Sequence, residues 1–282
     1  MNAITIKDAY VDLGNFQLRS IDLDIPMGCV MGCIGRNGAG KTTLMNTIMN
    51  LQDRERGTIE FFGSTMEEQR EQILNDVAYL PSECPFTLGV KVKKLANLTK
   101  TMFHNFDQEL FDQLCKHSEI SCSSKLSHLS LGELKLVQLY LLLARKPKVL
   151  ILDEPMANLD PVTRTEILEL LHTFMIEEDH TIFISSHILS DLEKLADYIT
   201  ILHNGVVLLS EQVDILADRY QIVYFDEDQR DHLPSKDLLY MKKEREGYSA
   251  LCDRSENRGD LRSRPADLED ILYYLSGGVQ HA

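Results

Sequence analysis

Partial alternation of apolar and polar residues over Ala3–Asp8 and Leu18–Ile25, with Gly14-Asn15 between them, predicts two strands joined by a turn. A short apolar run, Val30, Met31, Cys33 and Ile34, predicts a strand that enters a glycine-rich loop, and Leu44–Leu51 then continues as a helix. Thr58–Phe62, bounded by Gly57 and Gly63, reads as a strand, Met66–Leu74 as a charged helix, and Val77–Leu80 as a short buried strand ending at Pro81. From about Pro85 to Ser127 glycine is scarce and helix-length segments take over, Val92–Phe103 and Gln108–Lys116 being the better formed. Leu134–Ala144 is an apolar helix interrupted by Lys135 and Gln138, and Lys148–Leu152 is the continuous apolar run of a strand buried on both faces.

Asp160-Pro161 supplies a capping residue and a proline at the first position of the next helix. Its apolar positions Ile167, Leu168, Leu170, Leu171, Phe174 and Met175 form a core-facing stripe. Thr181–Ser185 reads as a strand, Ser190–Ala196 as a short helix, and Tyr198–His203 with Val206–Ser210 as a hairpin about Asn204-Gly205. Beyond about Tyr220, short strands at Ile222–Phe225, Leu238–Met241 and Ser249–Cys252 are separated by charged connections. Pro265-Ala266-Asp267 then opens a helix through Leu275 that Gly277-Gly278 stops. This last part reads as a small α+β element serving stability or dimerisation, with no chemistry of its own.

A length of 282 residues suits one large or two modest domains. The formal charge of −15 leaves little basic surface for phosphate backbones, so no nucleic acid partner is expected. The six cysteines show no metal-ligand spacing and read as free thiols of a reducing cytosol. The N-terminus has no basic-then-apolar signal, and Leu134–Ala144 falls well short of the roughly 20 residues of a membrane span. A cytoplasmic chain is therefore expected, with any membrane role reached through a partner.

The candidate chemistry starts at Val30–Leu44. Gly35, Arg36, Asn37, Gly38, Ala39, Gly40, Lys41 and Thr42, followed by Thr43, fit G-x-x-x-x-G-K-[ST], with a strand before and a helix after. Glycines let the backbone wrap phosphates, and the helix start adds unpaired N–H groups and a positive dipole end. Lys41 is expected at the β- and γ-phosphates and Thr42 on Mg²⁺. A second signal is Val149–Asp153 followed by Glu154: an apolar strand that ends in acid places Asp153 on the metal and Glu154 beside the attacking water. The third, Leu129-Ser130-Leu131-Gly132-Glu133, is by itself an ordinary helix start with Ser130 as N-cap and Glu133 closing a capping box.

Taken in order, these motifs resemble those of the nucleotide-binding subunits of ABC transporters, over residues from about Ala3 to Ala217. Gly35–Thr42 looks like the Walker A loop, Val149–Glu154 like Walker B with its glutamate, and Leu129–Glu133 like the signature usually written LSGGQ. Asn158-Leu159-Asp160 is similar to the D-loop and His187 to the switch histidine. The resemblance implies an α/β, P-loop NTPase fold of ABC type with an antiparallel β subdomain. It implies an ATPase domain over 1–218 with a helical insertion at about 85–146, and leaves 219–282 as a small accessory domain. It also implies ATP and Mg²⁺, and a head-to-tail homodimer or heterodimer. There Ser130 and Gly132 contact nucleotide bound on the opposing subunit, Asp160 joins the two sites, and Glu154 and His187 serve hydrolysis. The partner is an integral-membrane permease docked on the helical insertion, with the chain peripheral at the cytoplasmic face. The closing Asp267–Gly278 segment is similar to that of ATPases paired with export-type permeases for drugs, lantibiotics or other peptides.

Two positions depart from the family pattern. The usual glutamine after the fourth core strand is replaced near Ser82-Glu83, so Ser82 or Glu83 is left for its contact with Mg²⁺. The adenine-stacking aromatic falls near Leu13, with Tyr10 or Phe16 as substitutes. Leu131 and Glu133 replace a glycine and the glutamine of the signature. The leading expectation is the ATPase subunit of an exporter. The alternatives are a soluble ATPase of an assembly complex and a low-turnover regulatory subunit.

Overall fold

One-sided burial is what the alternation in the first strands encodes. The chain, a computed structural model describing residues 1–87, 89–230, 240–254 and 261–277, opens with β1 (Asn2–Asp12) and β2 (Gln17–Pro26), paired antiparallel. In β2, Leu18, Ile21, Leu23 and Ile25 are buried while Asp22 and Asp24 face water. After β3 (Val30–Ile34) and α1 (Lys41–Ile48), β4 (Arg56–Phe61) and the two-residue β5 (Ser64–Thr65) complete an antiparallel sheet in the order β2-β1-β4-β5.

The second sheet carries the site. Next along the chain come α2 (Met66–Asp76), β6 (Val77–Leu80), α3 (Val92–Met102), α4 (Gln108–His117), a 3₁₀ turn at Leu126–His128, and α5 (Leu131–Leu143). They are followed by β7 (Val149–Asp153), α6 (Pro161–Phe174), β8 (Thr181–Ser186), α7 (Leu189–Leu192), β9 (Tyr198–His203) and β10 (Val206–Gln212). The strand order is β10-β9-β3-β8-β7-β6, with every pair parallel except β10 with β9. All five residues of β7 are buried because both of its faces are covered. Val149 and Ile151 join the core under the first sheet and α1, whereas Leu150 and Leu152 join the core built with the helices. Each such side chain contributes about 1.5–3 kcal/mol by leaving water, which is why the run is continuous rather than alternating. Between β6 and β7, α5 is the central helix. Leu136, Val137 and Tyr140 share one buried cluster with Val92 and Leu95 of α3 and Phe111 of α4, and Tyr140 donates to Glu166 Oε1 of α6 at 2.8 Å.

The remainder comprises α8 (Val213–Arg219), β11 (Tyr220–Phe225), α9 (Glu227–Arg230), β12 (Tyr240–Lys243), β13 (Tyr248–Asp253), β14 (Arg262–Pro265) and α10 (Leu268–Gly277). Its strands form an antiparallel sheet, β12-β13-β11-β14. Tyr220 and Ile222 join the large cluster together with Leu268 and Ile271, while Val223 and Phe225 face a small separate core with Tyr248 and Cys252.

Several boundaries differ from those expected. The helix anticipated at Leu134 begins at Leu131, because Ser130 and Glu133 close a reciprocal capping box and so fix the first turn. The helix anticipated over Ser190–Ala196 is the single turn Leu189–Leu192. Pro265 ends β14 instead of opening a helix, and α10 starts at Leu268, where Asp267 accepts from the Asp270 N–H. The strand placed at Leu238–Met241 appears as Tyr240–Lys243, its first two expected residues and Gly278 lying outside the described residues. Among the described residues no helix is long and apolar enough to cross a membrane.

Candidate active site

The parallel strands of the second sheet deliver their C-terminal ends to one edge, where the crossover loops begin. The loop after β3 is held from below by backbone. A Cβ on Gly35 would lie 2.4 Å from the Leu202 carbonyl oxygen, and the Gly205 N–H of the β9–β10 turn donates to the Ala39 carbonyl at 2.9 Å. Gly40, at φ +110°, is the N-cap of α1 and gives it no side-chain cap, so the first helical N–H groups remain for a ligand. Above Gly38, at φ +82°, nothing lies within 4 Å of the Cβ position. An open concavity over glycine, next to an uncapped helix start, fits phosphate.

Lys41 is 6% exposed. Its Nζ donates to the Gly35 carbonyl at 2.7 Å and pairs with Glu154 Oε1 at 3.2 Å. The Thr42 hydroxyl donates to Asp153 Oδ2 at 2.7 Å. Asp153 is wholly buried, and its other oxygen, Oδ1, accepts from the Ser185 hydroxyl at 2.7 Å. Ser185 Oγ in turn accepts the Glu154 N–H at 2.9 Å, which holds Glu154 at φ +48°, a left-handed conformation that a residue with a Cβ adopts at a cost. His187 Nδ1 meets Glu154 Oε2 at 2.6 Å. One glutamate thus spans the lysine and the histidine.

Lys41, Thr42, Glu154 and His187 line a cleft of about 370 Å³ together with Asn37, Gly38, Ser82, Leu131, Lys135, Ala157 and Asn158. Among the described residues no group of three or more His, Cys, Asp or Glu side chains could hold a metal. A hydroxyl beside a carboxylate, Thr42 with Asp153, fits Mg²⁺ only when phosphate and water oxygens complete the shell, as is usual for that ion. Lys41, the loop N–H groups and this pair together fit a magnesium-bound triphosphate.

Other sequence-predicted residues stand apart from the cleft. Ser130 and Gly132 do not line it: the Ser130 N–H and Oγ are engaged with Glu133, and a Cβ on Gly132 would lie 2.8 Å from the Thr163 hydroxyl. Asp160 caps α6, accepting from the N–H groups of Val162 and Thr163 and from the Thr163 hydroxyl at 2.7 Å. Those hydrogen bonds, the Thr163 hydroxyl first, hold its carboxyl below the usual 3.8. Arg36, Ala39 and Thr43 belong to the loop and helix start without lining the cleft. Ser82 does line it, whereas Glu83 is exposed outside it. Phe16 abuts Gly40, its Cζ 2.5 Å from a Cβ built there; the Tyr10 ring carries the Arg56 guanidinium 5.1 Å away, and Leu13 is 42% exposed.

Two residues that the sequence reading did not single out as functional are Ser185 and Lys135. Each left a signal: a serine closing an apolar strand, and a cation inside an apolar helix.

A family model described as ABC transporter matches residues 18–157. The chain is 28% identical over 277 residues to the ABC transporter ATP-binding protein YtrB of Bacillus subtilis (strain 168), an alignment covering 94% of each chain. It is 32% identical over 198 residues to the lantibiotic transport ATP-binding protein SrtF of Streptococcus pyogenes, covering 70% of this chain and 85% of the relative. Among solved structures, an ATP-binding subunit of an ABC transporter superposes with a TM-score of 0.68 at 24% identity, covering 76% of this chain and 91% of the other. The chain belongs to the ABC transporter family, as an ATP-binding and ATP-hydrolysing subunit.

Proposed function

We propose that this subunit binds Mg²⁺-ATP in the cleft at Lys41, hydrolyses it in a head-to-tail pair of nucleotide-binding subunits, and drives export through a separate integral-membrane permease. The observation that carries the pairing is that Lys41, Thr42, Glu154 and His187 line the cleft while the signature turn reaches it only through Leu131, with Ser130 and Gly132 outside it. Leu131 and Val162, beside the signature turn and Asp160, are 49% and 77% exposed, as an unformed interface would leave them. A second subunit, identical or related, brings its Ser130 and Gly132 over the bound nucleotide, and Asp160 lies at the junction of the two sites.

Gly35, Arg36, Asn37, Gly38, Ala39, Gly40 and Thr43 form the phosphate-wrapping backbone, and Lys41 neutralises phosphate charge. Thr42 and Asp153 hold Mg²⁺ with Ser82 nearby, and the cation when bound supplies charge stabilisation for phosphoryl transfer. Phosphate that competes for Lys41 frees Glu154 Oε1, leaving a carboxylate oriented by His187 to take the proton of the attacking water. Phe16, packed against the loop, is the aromatic best placed for the base. Met102 and Phe103, with Tyr79, Pro81 and Phe86, line a groove of about 190 Å³ between α3 and the end of β6. That groove supports docking of the permease on the helical segment. The closing-helix resemblance and the relative named for lantibiotic transport support a peptide-type cargo and the export direction.

Light scattering of the Glu154→Gln chain with ATP is expected to show a dimer, and the variant to lose turnover by about 10²-fold or more. A chain that stays monomeric counts against pairing of identical copies. ATP-dependent accumulation of a labelled lantibiotic in inside-out vesicles containing the captured permease tests export; no accumulation counts against it.

A further inference from the structure

The second turn of α5 carries one lysine in an apolar helix, and the fold buries it: Lys135 is 5% exposed. A buried ammonium is costly unless it is satisfied, so its surroundings are informative. Its Nζ donates to the Ser82 carbonyl at 2.7 Å and to the Pro81 carbonyl at 3.1 Å, the two residues that follow β6. Among the described residues no carboxylate pairs with it within 4.0 Å. Burial pushes its pKa below the usual lysine value, and the nearby Asp153 carboxylate opposes that fall.

An ammonium has three donors, and the two carbonyls occupy two. The third belongs to a group that lines the same cleft as Lys41, Thr42, Glu154 and His187. Tyr10, Leu13 and Phe16 do not line that cleft, so it is the phosphate end of the site. On this wall Glu83 does not line the cleft and Ser82 has only a short side chain, which leaves Lys135 as its long polar group. The position is rigid: the capping box fixes the start of α5, and Tyr140 ties the helix to α6.

We propose that Lys135 is a specificity-determining residue of the ATP site: anchored on the Pro81 and Ser82 carbonyls, its ammonium presents a fixed positive charge to the terminal phosphate and so favours ATP over ADP. The same anchoring ties the turn after β6 to the helix that starts at Ser130, so a charge arriving in the cleft acts on both segments. The proposal rests on the reading of the cleft as the nucleotide site.

Calorimetric titration of the full chain with ADP and with a non-hydrolysable β,γ-imido analogue of ATP tests it without turnover. Lys135→Met and Lys135→Gln should each weaken the analogue about tenfold and ADP less than about threefold, the range expected for one charge-assisted hydrogen bond. Lys135→Arg should retain the preference, because a guanidinium also bonds carbonyls and stays charged. Lys135→Gln keeps a donor and nearly the same volume, and it decides the matter where Lys135→Met does not fold. An unchanged preference in Lys135→Gln, or equal weakening of both ligands, overturns the proposal. Lys41→Ala separates the two layers of the argument. It should lose both nucleotides, and if it binds both normally the reading of the cleft falls, and the Lys135 proposal with it.

Discussion

Ser185→Ala removes a single hydroxyl whose two hydrogen bonds hold the acidic end of β7 together. The first is donated to Asp153 Oδ1, a wholly buried carboxylate, so its loss costs about 1.5–3 kcal/mol as a hydrogen bond to a charged group. The second is accepted from the Glu154 N–H, and leaving that donor unpaired costs a further 1–3 kcal/mol or so. Glu154 has a way to recover part of this. Its left-handed backbone is worth about 1–2 kcal/mol of strain, released if the residue relaxes once its N–H is no longer held. The net expectation is a loss of about 2–4 kcal/mol, which for a chain of this size lowers Tm by about 3–7 °C. Relaxation also swings the Glu154 carboxylate away from Lys41 and His187, so kcat should fall at least about tenfold while KM, governed by Lys41 and the loop, moves less. The adjacent Ser186 is the control. Its hydroxyl also makes two hydrogen bonds, both to the backbone of Ile188 and neither to a charge. Ser186→Ala should therefore cost no more than about 1.5 kcal/mol. Thermal unfolding and steady-state phosphate release read both quantities. A Tm loss below about 2 °C with unchanged kcat, or equal losses in the two serine variants, would refute the reasoning.

Gly205→Ala should destabilise the chain by at least about 3 kcal/mol in denaturant titration. Its Cβ would lie 1.8 Å from the Gln17 carbonyl oxygen at φ +76°, and its N–H holds the Ala39 carbonyl of the phosphate loop, so nucleotide affinity should fall with stability. A loss under about 1 kcal/mol would show that the hairpin can move without cost. Asp160→Asn keeps an N-cap but removes a titrating group whose folded pKa lies below 3.8. A carboxyl depressed in this way contributes stability above its unfolded value, and that contribution is lost as pH falls through the folded value. The parent should therefore be the more stable of the two at neutral pH and lose that lead below about pH 4, where the two Tm curves converge. Parallel curves over that range would argue against a stabilising cap at Asp160.

What was legible in the sequence was local. The run Val149–Leu152 announces a strand covered on both faces, and Gly35–Thr42 announces its loop, because each is contiguous and its physics is contained in neighbouring residues. The helix start at Ser130 was legible as a capping box, and the structure builds that box. Contacts made across sheet register were not legible. The part played by Ser185 follows from β7 and β8 running parallel with Asp153 opposite Ser185, a pairing of residues 32 apart that no spacing rule exposes. Lys135 and Gln138 were visible as interruptions of an apolar helix. That they are 5% and 3% exposed, rather than on a wet face, depends on what packs around α5. β14 escaped for the opposite reason: its four residues are exposed, and it is a strand only through backbone pairing with β11, which leaves no hydrophobic signature.

The same register explains why residues so far apart in the chain form one machine. β3 ends at the phosphate loop, β6 at Pro81-Ser82, β7 at Asp153-Glu154, β8 at Ser185 to His187, and the β9–β10 turn supports Ala39 through Gly205. Asp153 is shared, one oxygen with Thr42 of the loop and the other with Ser185 of the neighbouring strand. Glu154 is shared in the same way between Lys41 and His187. Each carboxylate therefore couples the loop after β3 to the end of β8. A ligand that takes over both Thr42 and Lys41 therefore alters both carboxylates, and through Glu154 its arrival reaches His187 by hydrogen bonds one residue deep.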